Sequence, residues 1–373
     1  MNADAAGSEA PRVVLVHDYL LVMRGAERTF AAIAELYPHA PILTLLYDER
    51  QTEGRFAAHP VRTSPLQRLG TRQEGFRRLL PLYPWATGRI EVPECDLLLS
   101  SSSAFAHGVR APAGAVHLCY CHAPFRYAWY EQGRALEELP PVLRPALRAV
   151  LAGVRRWDLQ ASRRVDAYVA NSELTRERIA RYWDREAAIV HPPVETERFA
   201  PAEPGDWLLV VSEVVRHKRL HVALEAARRA RAPIRVVGTG PDFDSLRDAY
   251  PEAQFLGRVD DAQLAELYSH SRAVVVTAME EFGITAVEAQ AAGRPVIAAA
   301  AGGALETVVE GVTGTFVPLD DVEATREAIE RIDRLALDPA AAVANARRFS
   351  IATFQERIGE QVRAALSLGA RRR

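Results

Sequence analysis

Short apolar runs recur along this chain, separated by stretches in which apolar residues return at helical spacing. Val13-Val14-Leu15-Val16 reads as a buried strand, 26–36 as an amphipathic helix, and 41–46 as a second strand. Further strands are predicted at 96–99, 116–120, 167–170 and 188–190. His191-Pro192-Pro193-Val194 then interrupts the series. Two adjacent prolines stop any regular element and stiffen the connection, so a domain is expected to end here. A second series follows: strand 207–211, helix 222–230, strand 234–237 with a Gly238-Thr239-Gly240-Pro241 turn, and apolar runs at 273–277 and 295–300. Strand–helix–strand alternation predicts an α/β protein with parallel sheets and crossover helices. The two series give two Rossmann-like domains, 11–195 and 203–346. After Arg347, the positions Phe349, Ile351, Phe354, Ile358 and Val362 keep helical spacing. The closing Arg371-Arg372-Arg373 reads as a disordered tail.

A length of 373 residues suits two domains, and 49% apolar residues can fill two cores. The formal net charge of −2 argues against general polyanion binding, so nucleic acid is not an expected partner. Cys95, Cys119 and Cys121 are too few for a disulfide framework and lack a Cys-x2-Cys pair for metal. They read as buried thiols. Residues 1–11 are small and acidic, without the basic start and apolar centre of a signal peptide. No apolar run reaches membrane-spanning length, and a cytoplasmic protein is expected. Two stretches are both basic and amphipathic: 66–85, with Arg68, Arg72, Arg77 and Arg78, and 143–157, with Arg148, Arg155 and Arg156. Either these are solvated surface helices, or they meet an anionic membrane face peripherally.

The most informative segment is 280–298. Glu280 lies in the turn after the strand at 273–277. Glu288 lies about one turn into a helix from Ile284 that Gly293 is placed to close. A helix start with free N–H groups lies between the two carboxylates. Such a start attracts a phosphate, whereas carboxylates accept hydrogen bonds from sugar hydroxyls. A sugar nucleotide carries both kinds of group.

The run Glu280-Glu281-Phe282-Gly283-Ile284-Thr285-Ala286-Val287-Glu288 resembles the Glu-x7-Glu signature of the family 4 retaining glycosyltransferases, which have the GT-B fold. That resemblance implies two Rossmann-like domains facing across a cleft, with a C-terminal helix (347–366) crossing back to the first, acceptor-side domain. The second domain would bind the nucleotide sugar. The family assigns the first Glu to the transferred sugar and the second to the nucleotide ribose, here Glu280 and Glu288, with Phe282, Gly283, Ile284 and Thr285 lining the donor. Together with 16–19 and 122–129, residues 280–306 look most like bacterial polysaccharide mannosyltransferases that use GDP-mannose. The implied acceptor is a glycan or a lipid-linked sugar.

Other positions carry the resemblance further. His122, within Tyr120-Cys121-His122-Ala123-Pro124, is similar to a family histidine that faces the transferred sugar. Gly25 sits in a run similar to the family's Gly-Gly-Ala-Glu, with Arg24 replacing the first glycine. Arg lacks the freedom of Gly at positive φ, which puts the loop's shape in question. Lys218 matches a family Lys that binds the diphosphate, but the usual Arg five positions earlier is Glu213. Arg216 or Arg219 is then expected to supply the second cation. Gly257 and Arg258 fall where the family's chain passes the nucleotide base, and Gly302-Gly303 resembles its Gly-rich turn at the site's edge. The catalytic set implied is His122, Lys218 and Glu280. The resemblance implies a diphosphate stabilised by Lys218, its neighbours and helix amides, so no metal and no cofactor beyond the donor are expected. Rival readings are a transferase using a UDP- or dTDP-sugar, a GT-B-shaped nucleotide-sugar epimerase, and a non-catalytic sugar-nucleotide-binding protein.

Overall fold

The computed structural model describes residues 10–69, 75–137, 139–335 and 337–372, without the side chains of 77, 371 and 372. The expectations for residues 1–9, Arg72, the Arg77 side chain and the side chains of the arginine tail lie outside this range.

The chain divides into two compact units. The first comprises residues 1–171, 175–190 and 355–373; the second comprises 172–174 and 191–354. The proline connection from His191 onward therefore groups with the second unit, and the division falls after Val190 rather than after 195. Val194 gives its amide to the Phe349 carbonyl, which ties the connection to that unit.

In the first unit, β1 (Val13–Leu20), β2 (Ile42–Tyr47), β3 (Val61–Thr63), β4 (Leu97–Ser102), β5 (Val116–Cys121), β6 (Ala167–Ala170) and β7 (Ala187–Ile189) form one parallel sheet. Their order is β3-β2-β1-β4-β5-β6-β7. In the second unit, β8 (Leu208–Val211), β9 (Ile234–Val237), β10 (Gln254–Gly257), β11 (Ala273–Val276), β12 (Val296–Ala299) and β13 (Gly314–Val317) form another, ordered β10-β9-β8-β11-β12-β13. Both sheets are doubly wound. The order reverses between β1 and β4 in one and between β8 and β11 in the other, where such folds bind ligands beyond the carboxyl ends. Strands such as Ala273-Val274-Val275-Val276 are apolar throughout because helices cover both faces.

Two features depart from the sequence reading. β1 runs through Leu20, so His17 and Asp18 belong to a strand rather than a loop. Both are buried and need partners. His17 Nδ1 meets Ser101 Oγ at 3.1 Å. The Asp18 carboxylate accepts the amides of Ser103, Ala104, Phe105 and Ala106. The second departure is the closing helix, which starts at Ile351 rather than 347. Pro339–Arg347 is a separate helix, and Phe349 in the break packs against Phe282 and His191 in the second unit. Beyond the break, Ile358, Val362 and Ala365 are buried, and Gln355 donates to the Ala32 carbonyl of the first unit.

Candidate active site

The second unit gathers its polar groups where β8 and β11 separate. The chain leaves β8 at Ser212 and passes close under the turn after β9. A side chain at Gly238, where φ is +131°, would sit 1.8 Å from the Ser212 carbonyl oxygen. One at Gly240 would sit 2.2 Å from that of Val214. The Gly-x-Gly is therefore required by backbone approach. A short 3-10 turn, Arg216–Lys218, follows. The Lys218 carbonyl accepts from Thr277 Oγ1 at the end of β11, and its ammonium lies 2.5 Å from Glu280 Oε1. Lys218 and Glu280 thus form an ion pair across 62 residues of sequence.

Glu280 is held by the glycine pair after β12. Gly303 donates its amide to the Glu280 carbonyl at 2.9 Å. A Cβ at Gly302 would lie 2.2 Å from that same carbonyl, and one at Gly303 2.1 Å from the Phe282 carbonyl. Gly283 then takes φ +84° and caps the helix Ile284–Ala291 without a side-chain acceptor. Ala286 donates its amide to the Gly283 carbonyl, and the amides of Ile284 and Thr285, which helix geometry leaves without an intrahelical acceptor, can meet a ligand or water. The Glu280 Cβ is 3.8 Å from where a Cβ on Gly283 would stand, so the Lys218–Glu280 pair lies beside this helix start. Phe282 is buried, and Thr285 Oγ1 donates to the Val211 carbonyl at the end of β8. One turn on, Glu288 Oε2 accepts the hydroxyl of fully buried Tyr268 at 2.7 Å. Gly257, at φ +68°, accepts the Gly238 amide and faces open space, and Arg258 beside it is exposed.

The two candidate second cations diverge. Arg219 takes φ +56°, and its guanidinium pairs with Asp320 at 2.8 Å. Arg216 is exposed and forms no ion pair among the described residues. Glu213 is also exposed.

In the first unit, His122 follows β5 and is half-buried. Its amide donates to the Ser102 carbonyl, and its Nε2 lies 2.9 Å from Ser101 Oγ. Gly25 is the first residue of the helix Gly25–Glu35. Arg24 caps that helix at φ −118°, an ordinary extended backbone, so the replaced glycine leaves no strain. Glu27 accepts the Arg24 amide, and burial raises its carboxyl to about 7. The three cysteines are buried and unpaired, and burial pushes Cys119 up to about 12. Among the described residues, no cluster of three or more His, Cys, Asp or Glu forms a metal site.

Sequence reasoning singled out Glu280, Lys218, Glu288 and His122 and missed the partners of the last two, Tyr268 and Ser101. Nothing in its sequence surroundings marks Tyr268, and Ser101 lies inside Ser100-Ser101-Ser102-Ser103, which carries no spacing signal.

Comparison with known proteins covers most of the chain. A family model described as Glycosyltransferase Family 4 matches residues 23–198, and one described as Glycosyl transferases group 1 matches 194–349. A D-inositol 3-phosphate glycosyltransferase of Geodermatophilus obscurus is 31% identical over 267 residues, 61% of this chain and 57% of that protein. One of Frankia alni is 32% identical over 182 residues, 39% of this chain and 44% of that protein. The chain thus spans about half the length of the curated relatives it matches. Among solved structures, Anabaena Alr3699/HepE in complex with UDP superposes with a TM-score of 0.70 at 18% identity, covering 95% of this chain and 100% of that one. Sucrose-phosphate synthase from Thermosynechococcus elongatus gives 0.72 at 18%, covering 96% and 100%. These likenesses show the shared fold, two Rossmann-like domains of the GT-B kind.

Proposed function

Because the chain belongs to the family 4 glycosyltransferases, we propose that it moves a hexose from a nucleoside diphosphate sugar to an acceptor hydroxyl with retention of configuration. The observation that carries this reading is the Lys218–Glu280 pair at a helix start without a side-chain cap, with Glu288 one turn behind it. The ammonium and the helix amides suit a diphosphate. Glu280 is assigned to the transferred sugar, Glu288 to the ribose, and His122 to a sugar hydroxyl. As the anomeric C–O bond breaks, charge builds on the departing phosphate, and Lys218, Arg216 and the amides stabilise it. The acceptor oxygen bonds to the anomeric carbon and its proton passes to a phosphate oxygen. No divalent cation is needed, so transfer persists in excess EDTA.

GDP-mannose is the donor this reading favours, on the resemblance of 280–306 and 122–129 to polysaccharide mannosyltransferases. A UDP-sugar is the second reading, supported by the UDP and UDP-glucose bound in the HepE structures. Thermal-shift and transfer assays with GDP-, UDP- and dTDP-sugars decide between them. Stabilisation by none of these would overturn the function. Proton exchange at the sugar without transfer would instead indicate an epimerase, and donor binding without transfer or hydrolysis a binding protein.

The acceptor is assigned to a glycan or lipid-linked sugar at the cytoplasmic membrane face. No helix among the described residues is long and apolar enough to cross a membrane. The support for peripheral contact is a set of exposed apolar side chains, Leu82, Trp85, Val142 and Leu143, with Val142 82% exposed. The inner sides of both segments pack into one cluster around Tyr83, Leu151 and Val154, so their outer sides border one region of the first unit. Exposed Arg78, Arg89 and Arg148 accompany them. Each arginine near an anionic surface contributes about 1 kcal/mol. Co-sedimentation with anionic but not neutral vesicles is expected, and its absence would remove the membrane from this reading.

A further inference from the structure

His122 is one end of a hydrogen-bonded line that runs back into the first unit's sheet. Ser101 on β4 is almost fully buried and lies directly opposite His17 on β1 in the strand register. Its Oγ is 2.9 Å from His122 Nε2 and 3.1 Å from His17 Nδ1. His17 is itself fixed, with its ring stacked on Phe30 at 4.7 Å. The His122 backbone is tied by its N–H to the Ser102 carbonyl, and the Tyr120 ring packs against the imidazole at 5.1 Å.

A serine hydroxyl has one proton. Set between two imidazole nitrogens, it donates to one and accepts a hydrogen bond from the other. If Ser101 donates to His17, then His122 carries its proton on Nε2 and its Nδ1 is an acceptor. If His17 donates from Nδ1, Ser101 donates to His122, and Nδ1 of His122 carries a proton. The two tautomers are therefore coupled through a single hydroxyl. Burial and the neighbouring His122 lower His17 to about 3, so it stays neutral and keeps one acceptor and one donor nitrogen.

We propose that Ser101 and His17 are positioning residues that fix the His122 ring and tie its tautomer to that of His17, so that the imidazole meets the substrate with one defined polarity. This rests on the transferase reading, in which His122 touches the sugar. Neither residue touches the donor; both act through the imidazole.

The test uses the whole chain labelled with 15N-histidine. In the wild type, the His122 ring nitrogens should report one tautomer at pH 8. Ser101→Ala should mix the tautomers and lower kcat on the order of 10-fold, with the donor KM within about 2-fold, while Ser101→Thr restores both. His17→Phe keeps the stacking on Phe30 but removes the Nδ1 partner, and should likewise change the tautomer balance. It reports independently if Ser101→Ala does not fold. An unchanged ring spectrum and unchanged kcat in the variants that fold, with His122→Ala severely impaired, would overturn this proposal alone. A His122→Ala protein with full transfer activity would instead overturn the role of His122 on which it rests.

Discussion

Arg219 and Arg216 stand three residues apart and face different fates. Arg219 is held by Asp320, whereas Arg216 is exposed and without an ion pair among the described residues. If the diphosphate lies beside Lys218, Arg216→Ala should raise the donor KM several-fold and Arg219→Ala should change it little. Lys218→Ala should be the most damaging of the three, because it also strands Glu280. Steady-state kinetics on the three variants check this, and an Arg219→Ala defect larger than that of Arg216→Ala would reverse the assignment. Side-chain titrations give a second prediction. Burial lowers both His17 and His117 from 6.5 to about 3. Between those values the unfolded chain binds more protons, so stability falls as pH drops, by about 1.4 kcal/mol per pH unit for each histidine. Glu27 has the opposite sign. Its carboxyl rises from 4.5 to about 7, so the folded chain binds more protons in that window and its contribution is lost as pH rises. Glu27→Gln keeps an acceptor for the Arg24 amide, and its stability relative to wild type should grow from pH 4.5 to 7. Denaturant midpoints at pH 5 and 8 test this, and a gain that shrinks with pH would refute it. At this scale the sequence displayed the reactive groups but not their partners. Glu280 finds Lys218 across two loops, and Glu288 finds Tyr268 across two helices, only once the fold brings those elements together.

Among the elements, the glycine turn after β12 decides where Glu280 stands. Gly303→Ala would place a methyl group 2.1 Å from the Phe282 carbonyl, which is backbone and has little room to retreat. A destabilisation of about 1–3 kcal/mol is expected from such overpacking. The fraction that remains folded should also lose transfer activity, because the loop bearing Glu280 must shift. Chemical denaturation and kcat measured together check both parts, and a stable, fully active variant would mean that the loop has slack. The apolar strands were legible because burial on both faces leaves them no polar positions. β3, with the sequence Val-Arg-Thr, and β13, which begins at a glycine, were not, since an edge strand needs neither length nor a continuous apolar run. The closing helix was predicted too long at its start because Phe349 fits its spacing, although that side chain packs in the second unit.

For the whole molecule, the return of residues 355–373 to the first unit is the feature that composition could not reveal. Removing them would expose the seats of Ile358, Val362 and Ala365. Full burial of each larger side chain contributes about 1.5–3 kcal/mol. A chain ending at 354 should therefore melt in two steps, with the first unit's transition well below that of the intact protein and the second unit's nearly unchanged. A single unshifted transition in calorimetry would show that the helix contributes little to the first unit.

The same threading fixes an order of events during synthesis. Residues 191–354 are contiguous in the chain and carry a sheet of their own, so this sheet can form from one uninterrupted stretch. The first unit is translated earlier, yet the seats of Ile358, Val362 and Ala365 stay open until residues 355–373 have been made, after the whole of the second unit's sheet.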